Sequence, residues 1–159
     1  MMATDLYAAS NPALSSLILW SFINGFEQEK KGCEFPVLFI PIPLVLSRNI
    51  REDFKKTDST TGLLTWIARN PNILLDTGKR IESTSSITKE AIIFGVTNNI
   101  LKIDTMGLIY ADNTGIKKSK ISKFTDERKE MILISKRLGR WCGQLESTKV
   151  IFNIMGMSL

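Results

Sequence analysis

The sequence predicts a single, mainly α-helical domain carrying a small β-hairpin, in the element order of a winged helix. Three observations support this. Apolar residues recur at helical spacing through most of the chain, and an Asn-Pro pair opens such a stretch at two places. Only NILKIDTMGLIYADN changes to the shorter period of strands. At 159 residues, 43% hydrophobic and 23% charged, the chain has the length and balance of one globular domain. The expected division is an N-terminal extension over 1–10 and one domain over 11–159.

Asn11 is a good N-cap and Pro12 suits the first helical position, so a helix is expected to run to about Lys31 and stop at Gly32. This first helix, NPALSSLILWSFINGFEQE, is apolar around most of its circumference, unlike a surface helix with one buried face. Two readings follow. It is a central helix wrapped by its own chain, or a partner completes its burial. On the second reading the interface residues are Leu14, Trp20, Phe22 and Phe26, since aromatics dominate interface hot spots.

FPVLFIPIPLVL demands burial, but Pro36, Pro41 and Pro43 oppose a regular helix or central strand. A short helix started by Pro43 and an extended buried segment are both compatible with it. Residues 47–61 are polar, with one or two helical turns. GLLTWIAR forms a helix, after which Asn70 caps and Pro71 opens another bearing Ile73, Leu74 and Ile81. STSSITKE predicts a break and restart, with Ser86 capping a helix over roughly 87–98. A hairpin then turns at Asp104–Gly107, where Gly107 supplies the positive φ a tight turn needs. A helix follows over about Thr125–Cys142, acidic in its first turn, basic near its end and greasy on one face. Trp66 and Trp141 are expected in the core. The last short helix covers Thr148 to Met155.

The chain contains no histidine, which excludes Ser-His-Asp and Cys-His catalysis and histidine-ligated zinc. Neither GLLTW nor GVTN has the spacing of a phosphate-binding glycine loop. No catalytic group and no cofactor or metal is therefore expected. Cys33 and Cys142 read as two reduced thiols. No run reaches the roughly 18 apolar residues of a membrane span, and MMATDLYAAS lacks a basic n-region followed by an apolar block. The expected location is the cytoplasm.

Charge is segregated. Residues 1–113 hold 11 basic and 12 acidic side chains, a net of −1, whereas residues 114–159 hold 10 and 4, a net of +6. The focus is GIKKSKISKF, where Lys117, Lys118, Lys120 and Lys123 are candidates for phosphate contact. A solvated loop leading into a helix with favourably placed cations explains the same run. In a winged helix, the helix before the hairpin would enter the major groove. Here that helix is SITKEAIIFGVTNN, which has no arginine and is largely apolar, so it suits packing better than base readout.

A succession of short motifs runs from Asn11 to about Gly156: NPAL, FPVLFIPIPLVLS, WIARNP, TKEAIIFG, GRW and FNIMG. In their order and spacing they resemble the middle component of bacterial three-component ABC-ATPase conflict systems, the group that includes Lamassu-type antiphage defence. The resemblance implies a non-catalytic accessory subunit without catalytic residues of its own. It further implies partners: an SMC-like ABC ATPase that senses DNA and an effector, often a nuclease, with the middle component between them. GIKKSKISKF stands outside these motifs, so a DNA role for its lysines is particular to this chain. A winged-helix DNA-binding regulator is the alternative function.

Overall fold

The computed structural model of the protein describes residues 11–158. The expected extension over 1–10 and the side chain of Lys118 lie outside the described residues. The architecture is mainly helical with one two-stranded antiparallel hairpin, as the sequence predicts.

Helix α1 is Pro12–Phe26, with the Asn11 side chain accepting from the Leu14 N–H at 3.1 Å. It ends before the expected Lys31, and turns carry the chain to Gly32 at φ +74°. The proline-rich block resolves into a 3-10 turn, Phe35–Phe39, and a short helix α2, Pro41–Val45, so the helix begins at Pro41. Prolines at the first turn of each piece forgo an N–H that has no partner there anyway. Helix α3, Arg48–Glu52, is capped by Ser47, and α4 is Leu63–Arg69.

The next helix corrects the sequence reading. No break occurs at STSSITKE; α5 runs unbroken from Ile73 to Thr97 over 25 residues. Three hydroxyls of that run bond back to carbonyls of their own helix, Thr84 to Arg80 (2.8 Å), Ser83 to Arg80 (3.1 Å) and Ser85 to Glu82 (3.0 Å), whereas the buried Thr88 hydroxyl has no partner among the described residues. Satisfied in this way, the three do not compete for the backbone. The helix also packs through buried Thr84, Thr88 and Ala91, so tertiary contact overrides weak propensity. Asn70 does not cap it; its amide closes α4 by donating to the Trp66 carbonyl at 3.0 Å.

Strands β1 (Leu101–Ile103) and β2 (Ile109–Ala111) pair as the hairpin, with Gly107 at φ +82°. Asp104 organises the turn: its Oδ1 accepts from the Met106 and Leu108 N–H groups, each at 2.9 Å. A single turn α6, Lys118–Ile121, leads to α7, Asp126–Gly143, and the chain closes with α8, Thr148–Ile154.

Helix α1 is the centre of the molecule. Helix α7 lies along one side, α5 and α2 cover others, and β2 covers another. The α1–α7 crossing is unusually intimate because its contact residues are small. The Ser21 hydroxyl donates to the Ile132 carbonyl at 2.7 Å, and Ser135 returns the bond to the Ile18 carbonyl at 2.6 Å. Four residues further along each helix stand Gly25 and Gly139, where a Cβ would overlap the carbonyl oxygens of Lys136 and Phe22 respectively. Contacts advance in the same direction on both helices, so the two run parallel. Small residues four apart let two helix backbones approach this closely.

Phe54, Trp66 and Trp141 pack together with ring centroids 4.4–5.7 Å apart, Phe54 stacked on Trp141 and the other two pairs tilted. Both tryptophans are fully buried, as expected, and each indole N–H is satisfied by a carbonyl: Asp53 for Trp66 and Asp58 for Trp141. Among the described residues no helix is long and apolar enough to cross a membrane.

Candidate partner-binding surface

The expected aromatic interface on α1 is not on the surface. Leu14, Phe22 and Phe26 are at most 4% exposed, enclosed by the helices packed around α1. The correction has a simple physical basis. A 159-residue chain can wrap one helix on all sides, and burying each Phe side chain is worth about 2–3 kcal/mol to the monomer itself. Trp20 differs: it is only partly buried, and its indole N–H donates to Asn113 Oδ1 at 3.0 Å. Ala13, Leu17, Trp20 and Asn24 mark the least covered line of α1.

The lysine-rich segment lies against this line. Asp112 shapes its approach by accepting from the Thr114 N–H (3.0 Å) and hydroxyl (2.8 Å). These bonds hold the Asp112 carboxyl below the usual carboxylate range. Beyond them, α6 and Phe124 close over α1 to leave a groove of about 290 Å³. Its apolar lining includes Leu14, Leu17, Ile116, Ile121 and Phe124. Its lining also holds Lys117, Lys120 and Arg128, and among the described residues no carboxylate lines it. Lys117, Lys120 and Lys123 are exposed, but Lys123 lies outside the groove lining, so the structure divides a run that reads as one patch.

A second surface escaped the sequence reading because its residues are far apart in the chain. Arg51 on α3 is 3% exposed, and its guanidinium donates to the Val45 carbonyl (2.7 Å) and to Glu127 on α7 (2.6 Å). Glu130 stands 3.8 Å away from it. This buried arginine ties α3 to α7 and lines a groove of about 400 Å³ together with Lys56, Lys129 and exposed Leu133. Arg137 crosses the same groove to donate to Thr57 Oγ1 at 3.0 Å.

Large apolar side chains also face solvent. Ile93 and Val96 do so on the last turns of α5, and Ile103 and Met106 on the hairpin, Met106 at 82% exposure. Both cysteines are free and buried, and burial raises both thiols, Cys142 to about 12. Among the described residues no group of three or more Cys, Asp and Glu side chains could hold a metal.

The class of protein so described is a small helical module with a hairpin, presenting apolar grooves and exposed apolar side chains. A family model for the ABC-three component (ABC-3C) system Middle Component 3 matches residues 2–159, and the chain belongs to that family. It is accordingly an accessory subunit of a three-component ABC system, and its partners are that system's other components. No curated protein and no solved structure matches the chain.

Proposed function

We propose that this chain is a non-catalytic scaffold in a Lamassu-type antiphage or anti-plasmid complex of the cytoplasm. It bridges an SMC-like ABC ATPase to an effector, often a nuclease, and restrains the effector until DNA is sensed. The family match along residues 2–159 carries this reading. The surface supports it: Ile93, Val96, Ile103 and Met106 are apolar groups that a partner would cover, and exposed groups of this kind mark interaction sites. Trp20 is the one aromatic of the expected α1 interface still within a partner's reach.

The test is co-expression with the ATPase and effector encoded beside it, followed by size-exclusion chromatography. A three-protein complex is expected, in which omitting this chain separates the other two. A soluble monomer that never co-purifies with the ATPase sinks the reading. Ile93→Asp with Met106→Asp is expected to weaken assembly while leaving the melting temperature of the isolated subunit unchanged.

A winged-helix DNA-binding regulator is the second reading, favoured by the exposure of Lys117, Lys120 and Lys123 close behind the hairpin in the chain. With Lys118 these lysines would contact phosphates, and affinity for duplex DNA would then fall steeply between low and moderate salt. Mobility shifts at two salt concentrations separate the readings.

A further inference from the structure

We infer that the groove between α1 and the Lys117–Arg128 segment binds an acidic peptide segment of a partner protein, anchored by one or two apolar side chains. This inference rests on the accessory-subunit reading and names one contact through which it would operate. Three observations carry it. At about 290 Å³ the groove sits at the lower bound of small-molecule pockets, a size suited to one or two side chains. Its lining is largely apolar, with Leu17, Ile121 and Phe124 among others, and rewards a hydrophobic anchor. Its lining holds Lys117 and Lys120 and, among the described residues, no carboxylate, so the electrostatic complement is an anion flanking that anchor.

Nucleic acid is the competing occupant and fits less well. A phosphate needs cations and water, and an apolar lining returns nothing for the hydration it displaces. A peptide carrying Glu or Asp beside Leu, Phe or Met satisfies the apolar lining and the lysines together. Lysine stems also extend an apolar lining while their ammonium groups stay in water. Grooves that take an amphipathic segment combine these two features.

The test uses overlapping fifteen-residue peptides spanning the neighbouring ATPase and effector, immobilised and probed with the intact subunit, alongside duplex DNA. The peptides bound should be acidic with apolar anchors, and the double variant K117E/K120E should lose about tenfold in affinity for them. Both lysines are exposed, so unchanged circular dichroism melting is expected for the variant. Retained peptide binding in K117E/K120E, no bound peptide at all, or a groove-dependent signal from DNA alone each overturns the inference. Co-purification of the wild-type subunit is read separately. Assembly with a blank array removes the groove and spares the bridge, whereas failed assembly removes the bridge itself.

Discussion

Gly139 of α7 stands directly against the carbonyl of Phe22 on α1, leaving no room for even a methyl group. The clash would be with backbone, which cannot rotate aside. Gly139→Ala is therefore expected to destabilise the subunit by about 3 kcal/mol, at the upper end of ordinary overpacking. For a domain of this size that lowers Tm by about 9 °C. Gly78→Ala is the control, since a Cβ there meets nothing within 4 Å. Thermal melts of the two variants should separate clearly.

The Ser21 and Ser135 hydroxyls cross the same interface in opposite directions. Replacing either by Ala should cost about 1 kcal/mol, the net worth of a buried hydrogen bond. Urea titrations of both single variants and the double variant measure it. A cost near zero for both would show that helix packing alone holds α1 to α7.

Arg51→Ala removes a buried guanidinium and strands the Val45 carbonyl, so a loss of about 3 kcal/mol is expected. Arg51→Lys should recover only a minor part, because one ammonium cannot reproduce a planar fork aimed at a carbonyl and a carboxylate together. Full recovery by Lys would reduce the site to a simple charge contact.

Continuity of α5 has a sharp test in Ser86→Pro. In an unbroken helix, proline at an exposed interior position removes a backbone hydrogen bond and clashes, costing about 3 kcal/mol. Were Ser86 the cap of a new helix, the change would be far milder. Loss of ellipticity at 222 nm and lowered stability are the expected outcome.

Cys33 and Cys142 are buried and their thiols are raised above the ordinary 9.0. The native chain keeps these protons where the unfolded chain loses them. The unfolded state thus binds fewer protons above pH 9, and the thiols' contribution to stability falls as pH rises. Unfolding midpoints should decline from pH 9 towards 12, less so in Cys142→Ala measured against its own neutral-pH value. Thiol reagents at pH 8 should label neither cysteine until denaturant is added.

Helix existence was legible wherever caps and apolar spacing agreed, as in α1, α4, α7 and α8, and the hairpin announced itself by period and by Gly107. The serine-threonine run in α5 was misread because local propensity records a competition that packing and back-bonded hydroxyls settle. The proline block left its helix undecided, since burial and proline pull in opposite directions and only the tertiary setting arbitrates. On the surface, the lysine run was visible as charge. The apolar lining beside it was not, because Leu17 and Phe124 are far apart in the chain. The Arg51–Glu127 contact was hidden for the same reason. The cover of α1 was unreadable because small residues such as Gly25 and Gly139 carry no hydrophobic signal, yet they are where the two backbones meet.

The pairing of α1 with α7 joins residues 111 and 117 positions apart, as the two serine hydrogen bonds show. On the ribosome, α1 is made before α7, and the paired residues of α7 follow those of α1 by 111 and 117 positions. Until then α1 has only the cover that α2, α5 and β2 supply, and closing so long a loop makes its full burial a late event. Nascent and truncated chains will therefore expose α1 to chaperones and to one another. Its sequestration marks the moment at which the subunit is complete enough to assemble.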